Sequence, residues 1–310
     1  MAEAGTIRLG LVGIGKIARD QHLPALAADG RFALAATASR NAQLDDVAGF
    51  PDIDAMIAGV PDLQAVSLCT PPDGRYEQAA SAIAAGLHVM LEKPPTSTLS
   101  EIAALEEQAR ARGVTLFTSW HSREAAGVAP AREWLAGKRI ETVRITWRED
   151  IRRWHPGQEW ILGAGGFGVF DPGINALSIA TRILPDPLLL DSAWMEVPEG
   201  RASPLKAELT MRSGGAVVTA DFDFLQTGPQ TWDIEVDTDA GMLTLSMGGS
   251  ILQLPGADAQ KASDREYPRL YARFAELVGA GESEVDVRPL QLVADAFLLG
   301  ERRVGASFSF

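Results

Sequence analysis

Two kinds of segment alternate along roughly the first 120 residues. Short, almost wholly apolar runs occupy Ile7 to Val12, 32–38, Val66-Ser67-Leu68-Cys69, His88 to Leu91 and Thr115 to Ser119. Runs of this length without a polar face read as strands covered on both sides. Between them, 16–29, 75–85 and 99–112 have helical spacing, and Gly86 and Gly113 stand where the second and third of these helices should stop. Strand–helix alternation of this kind predicts a parallel, doubly wound sheet with right-handed crossovers.

The pattern changes after residue 122. A helix over 129–136 precedes Glu141 to Trp147, which alternates apolar and polar like a strand with one buried face. An irregular stretch rich in Trp and Gly (151–170) leads into a helix over 172–184. Strands then follow at 205–212, 216–224, 231–238, 242–246 and 250–254, the first two joined by the turn Ser213-Gly214-Gly215. Helices over 266–279 and 288–303 close the chain. The expected architecture is α/β: a Rossmann-type domain over 1–122, then an α+β domain over 123–310 with a large, mainly antiparallel open sheet. The last helix is expected to return to the first domain.

Gly13-Ile14-Gly15-Lys16-Ile17-Ala18 fits G-x-G-x-x-A at the junction of the first strand and first helix. The first Gly makes the tight turn, the second admits a pyrophosphate to the backbone, and the small third residue lets helix pack on strand. The helix N-terminus offers N–H groups and a positive dipole to phosphate. Gly13, Ile14, Gly15, Lys16 and Ile17 are therefore expected to bind a dinucleotide. The second strand ends at Ala38-Ser39-Arg40, with no Asp or Glu for a ribose 2′-hydroxyl. Ser39 can donate to a 2′-phosphate, and Arg40 can pair with it by charge, so NADP is the expected cofactor, with NAD tolerated. Thr70, Pro71, Glu92 and Lys93, at the carboxyl ends of later strands, complete the expected cofactor set.

The charge balance narrows the partners. Lys and Arg number 28 against 41 Asp and Glu, a net charge of −13. A chain this acidic is a poor ligand for nucleic acid or anionic membranes. Its longest charge-free run, 240–257, is broken by Thr, Ser, Gly and Gln and reads as a hairpin. One cysteine, Cys69, excludes an internal disulfide framework and points to a reducing compartment, the cytoplasm. No His, Cys or carboxylate spacing suits a metal. An open antiparallel sheet suggests pairing with a second copy, a homodimer.

Several residues carry potential chemistry. Lys93 follows the fourth parallel strand, at the sheet edge where such folds bind ligands, and the prolines after it restrain its backbone. Asp171, in Asp171-Pro172-Gly173-Ile174-Asn175, reads as a helix N-cap or as a functional carboxylate, with Asn175 one turn on along the same face. His121 and His155 lie at a strand end and in an irregular loop, whereas His22 and His88 read as structural. Trp154, Trp160 and Trp232 fall in or near irregular segments and could face a sugar ring.

These residues together resemble the glucose–fructose oxidoreductase / inositol dehydrogenase family, through Gly13 to Ala18, Glu92-Lys93-Pro94 and Asp171-Pro172-Gly173. The likeness extends over nearly the whole chain to the bacterial L-arabinose and D-galactose 1-dehydrogenases of that family, through residues 13–24, 152–158, 169–179 and 286–290. It implies oxidation of the anomeric hydroxyl of an aldose to a lactone, with Lys93 and Asp171 flanking the reacting carbon and Asn175 beside them. It further implies that Glu149, Trp154, His155 and Trp232 bind the sugar, with His121 near them. Most of the family has His where this chain has Asn175, which shifts proton removal to Asp171 or Lys93. Competing readings are an inositol-type or other polyol dehydrogenase and a non-catalytic NADP-binding sensor.

Overall fold

The structure, a computed structural model, describes residues 5–310. The chain divides into two compact units: residues up to Trp120 together with Tyr267–Val287, and His121–Glu266 together with Arg288–Phe310. The segment that rejoins the first unit thus carries the penultimate helix, and the last helix lies in the second unit.

The first unit is built on six parallel strands: β1 (Ile7–Val12), β2 (Phe32–Ala38), β3 (Ala48–Phe50), β4 (Ala65–Leu68), β5 (His88–Leu91) and β6 (Leu116–Thr118). They lie in the order β3-β2-β1-β4-β5-β6, so the order reverses between β1 and β4. Loops at that switch point form the natural ligand crevice of such a sheet. Strand β3 and the helix Ile53–Gly59 escape the sequence reading because both are short. The helix Leu99–Arg112 starts on a Thr98/Glu101 capping box and ends on Gly113 at φ 71°.

The helix expected over 16–29 is not uniform, for residues Ala18–His22 form a π turn before the α-helical Leu23–Ala28. Pro24 supplies the reason, since it has no N–H to continue the ladder and its ring crowds the preceding turn. The helix Glu266–Ala280 lays Tyr267, Leu270, Tyr271, Phe274 and Leu277 against Leu9, Phe32, Met90 and Phe117 of the parallel sheet. Its apolar positions recur at the spacing of one helix face. Beyond it, Glu284 pairs with the edge strand β6, where Thr118 N–H donates to Glu284 O at 3.0 Å.

The second unit holds a nine-stranded sheet. Its strands are β7 (Ile140–Arg148), β8 (Leu188–Pro198), β9 (Lys206–Ser213), β10 (Ala216–Asp223), β11 (Thr231–Thr238), β12 (Gly241–Ser246), β13 (Ile251–Gln253), β14 (Gln260–Lys261) and β15 (Glu301–Gly305). The order is β14-β13-β12-β11-β7-β10-β9-β8-β15, antiparallel except for β7–β10 and β8–β15. Burial alternates along β9 and β10, so one face is core and the other open. The helix Phe170–Ile183 packs on the core face so closely that a Cβ on Gly173 would lie 3.0 Å from the Phe222 ring.

One expectation is corrected here. The last helix ends at Leu299, not 303, because Glu301–Gly305 pairs with β8 instead. Strand β8, Leu188–Pro198, is not among the expected strands. Among the described residues, no helix is long and apolar enough to cross a membrane. Nor does any group of His, Cys, Asp and Glu among them form a metal site.

Candidate active site

In the first unit the glycine turn closes against the loop after β4. Gly13 has φ 88°, and a Cβ there would sit 2.9 Å from both the backbone nitrogen and Cγ2 of Thr70. Only glycine fits that conformation without strain. A Cβ on Gly15, by contrast, would meet nothing within 4 Å, so the backbone there is open to an approaching ligand. Ala18 is fully buried against Leu11 and Ile14, which lets the helix sit close on β1. These features are those a dinucleotide needs at this turn, and the residues fit one. Ser39 and Arg40 follow β2, where Ser39 N–H donates to Phe50 O at 2.9 Å and Arg40 is exposed. Thr70 Oγ1 donates to Gln78 Oε1 at 2.7 Å, and Pro71 is exposed.

Lys93 is half-buried just past β5, and the Lys93–Pro94 peptide is cis. Its backbone N–H donates to Glu92 Oε2 at 2.9 Å. The other Glu92 oxygen accepts from the Tyr267 hydroxyl at 2.6 Å and lies 3.0 Å from His22 Nε2. The second nitrogen of His22 meets the Tyr271 hydroxyl at 2.7 Å, and that hydroxyl donates to Ser67 Oγ at 3.1 Å. Burial opposes charge on His22, yet the Cys69, Tyr271 and Glu92 groups facing it outweigh burial and hold its pKa well above the usual imidazole value. Burial likewise pushes the Tyr271 hydroxyl up. His22 is thus bonded on both ring nitrogens, to Glu92 and to Tyr271, structural as expected but serving the Glu92-Lys93-Pro94 turn.

In the second unit, Asp171 does not cap its helix. The helix begins at Phe170 with Val169 in the cap position, and Asp171 lies in the first turn with its N–H donating to Gly168 O at 2.9 Å. Gly168, at φ 54°, makes the turn possible, since a Cβ there would lie 2.2 Å from the Pro204 carbonyl oxygen.

Asp171 Oδ2 lies 3.6 Å from His155 Nε2, and Glu149 Oε1 lies 3.8 Å from the same nitrogen. Both carboxyl side chains are under 10% exposed, whereas the imidazole is 20% exposed. Glu149 Oε2 accepts from Trp232 Nε1 at 2.9 Å. Trp154 stands edge-on to Trp232, with ring centroids 5.6 Å apart, and donates from Nε1 to Gln230 Oε1 at 3.3 Å. Phe224 flanks His155 with centroids 5.5 Å apart. Five expected residues, Glu149, Trp154, His155, Asp171 and Trp232, thus converge in one cluster of two buried carboxylates about one imidazole with indole walls. Such a set can accept hydrogen bonds from several hydroxyls and take up a proton.

Asn175 shares the Asp171 helix face and is half-buried, and its carbonyl accepts from Ser178 Oγ. His121 pairs instead with Glu266, Nδ1 to Oε2 at 2.6 Å. Sequence reasoning missed Arg75, Gln230 and Tyr267. Arg75 opens the helix Arg75–Ala84, and its guanidinium donates to the backbone carbonyls of Thr70, Glu92 and Pro94. A buried arginine leaves no periodicity to detect, since charged residues are nearly always exposed.

Comparison with known proteins agrees with this geometry. Residues 7–119 match the family described as "Oxidoreductase family, NAD-binding Rossmann fold". The galactose 1-dehydrogenase of Pseudomonas fluorescens is 42% identical over 299 residues, 96% of each chain. The crystal structure of a D-galactose-1-dehydrogenase from Rhizobium etli is 50% identical, with a TM-score of 0.95 over 100% of both chains. A 3-ketoreductase from Actinomadura kijaniata, solved in complex with NADP and TDP-benzene, shares the fold at 20% identity, with a TM-score of 0.83 over 98% of this chain and 100% of that one. The dinucleotide turn, the sheet order and these likenesses place the chain in the glucose–fructose oxidoreductase / inositol dehydrogenase family of nicotinamide-dependent oxidoreductases.

Proposed function

We propose that the protein is an aldose 1-dehydrogenase that oxidises the anomeric hydroxyl of D-galactose or L-arabinose to the lactone, with NADP preferred over NAD. The observation that carries this reading is the pair of buried carboxylates, Glu149 and Asp171, set about His155 beside Trp154 and Trp232. It supports a polyol ligand, and the identity to galactose 1-dehydrogenases supports the aldose. L-Arabinose and D-galactose share ring stereochemistry from the second to the fourth carbon, which supports acceptance of both.

Gly13, Ile14, Gly15, Lys16 and Ile17 hold the pyrophosphate, and Ser39 and Arg40 hold the 2′-phosphate. When bound, the oxidised nicotinamide supplies the hydride acceptor. Asp171 takes the proton of the anomeric hydroxyl as the carbon gives up its hydride, and the C–O bond becomes the lactone carbonyl. Lys93 donates to the same oxygen and stabilises its developing negative charge. Glu149 and His155 orient the ring hydroxyls, with Asn175 beside Asp171.

Purified protein, NADP⁺ or NAD⁺ and a panel of L-arabinose, D-galactose, D-xylose, D-glucose and myo-inositol test the reading through absorbance at the reduced-nicotinamide band. Fast reduction of NADP⁺ with the first two sugars is expected. Reduction of NAD⁺ alone would discard the 2′-phosphate assignment, and tight NADP binding with no reduction would point to a sensor. Asp171→Asn should lower kcat on the order of 1000-fold. Near-normal turnover in that variant, alongside an inactive Lys93→Met, would move the base from Asp171 to Lys93.

A further inference from the structure

Arg75 is among the largest fully buried side chains of the chain, at 2% exposure. It follows Gly74, which at φ 77° turns the chain into the helix Arg75–Ala84 and directs Arg75 inward from its first position. Its Nε and Nη2 donate to Thr70 O, and its Nη1 donates to both Glu92 O and Pro94 O. One planar fork therefore ties the loop after β4 to the turn after β5, with carbonyls held on both sides of Lys93. Lysine could not reproduce this, because an ammonium is a point charge without the fork.

On the other face of the same turn, the Lys93 N–H is held by Glu92, itself fixed by His22 and Tyr267. Lys93 is thus the residue whose backbone is gripped from both directions. The Arg75 donors are turned to backbone carbonyls and the residue is buried, so it is not placed to grip a phosphate from solvent.

We propose that Arg75 is a positioning residue for Lys93, setting the direction of its side chain through the carbonyls of Glu92 and Pro94. This rests on the role given to Lys93 above. A misplacement of about 1 Å at a reacting group costs on the order of 100-fold in rate. Arg75→Met should therefore lower kcat on the order of 100-fold while the sugar KM and the NADP⁺ Kd stay within about three-fold. Arg75→Lys should recover part of this, leaving a deficit of about ten-fold.

The chain has five lysines, Lys16, Lys93, Lys138, Lys206 and Lys261. In cofactor-free protein labelled with ¹⁵N-lysine, Arg75→Met should move or broaden the Lys93 amide signal and leave the other four in place. A general loss of structure would disturb all five. In the Lys93→Met background, Arg75→Met should add little further loss of turnover.

Should Arg75→Met fail to fold, Arg75→Lys decides: wild-type kcat and an unmoved Lys93 signal overturn the proposal. It also falls if NADP⁺ Kd rises while kcat at saturation holds, since that marks a phosphate ligand. An active Lys93→Met would remove the reading of Lys93 itself. An inactive Lys93→Met with a fully active Arg75→Met would remove only the role given to Arg75.

Discussion

Each unit of this protein contains a histidine set against carboxylate, and the two are built to opposite ends. In the first, His22 and Glu92 are 3.0 Å apart, both nearly inaccessible, and every ring nitrogen of His22 has a polar partner. In the second, His155 stands 3.6 and 3.8 Å from two carboxylates and keeps a fifth of its surface exposed. The first pair is closed and satisfied, which rigidifies the backbone beneath Lys93. The second spaces its imidazole and carboxyl groups more widely, and under the proposed function it is the surface that meets the sugar.

The sharpest way to break this contrast is to remove one partner of each pair. His22→Leu leaves the buried Glu92 carboxyl group without its imidazole partner, and stability should fall by about 3–5 kcal/mol, read by urea unfolding. Loss of less than ~1 kcal/mol would show that the pair does not hold the fold. Glu149→Gln keeps an acceptor for Trp232 and should alter stability by less than about 1 kcal/mol, while the sugar KM rises roughly 10- to 100-fold. A large stability loss with an unchanged KM would invert the assignment of the two clusters.

The smallest effect is on pH dependence. The folded pKa of His22 lies above its unfolded value near ~6.5, so its contribution to stability is complete below that value. That contribution is lost as pH rises through the folded pKa, at most about 1.4 kcal/mol per pH unit for one proton. Urea unfolding of the wild type from pH 6 upward should show this fall, and His22→Gln should remove it. An identical slope in the variant would assign the proton to another group.

The parallel sheet was legible because its strands are wholly apolar and its helices end on Gly86 and Gly113, signals local to the sequence. Short elements were not: β3 has three residues, too few for a period to emerge. The helix expected to run to 303 stops at Leu299, where Gly300 follows as a local stop signal, and pairing with β8 makes Glu301 to Gly305 a strand. In the candidate site, Glu149, Trp154, His155, Asp171 and Trp232 were all named in advance, and the structure brings them together. The capping alternative for Asp171 failed because the helix begins at Phe170, two residues before the expected start at Pro172, with no capping side chain at Val169 to announce it.

What the sequence determined alone was periodic or sterically unique. The glycine turn at Gly13 is of this kind, since φ 88° against Thr70 tolerates no Cβ. So is the apolar face Tyr267, Leu270, Tyr271, Phe274, although that face does not say which sheet it covers. Only the tertiary structure decided that it covers the parallel sheet, carrying Tyr267 to Glu92 across 175 positions of chain. It alone also turned Arg75 from an ordinary charge into a buried fork between two loops. The physical reason is the same in both cases. Local propensity depends on neighbours a few residues away, whereas satisfying a buried polar group depends on which distant carbonyls and carboxylates folding brings within hydrogen-bond reach.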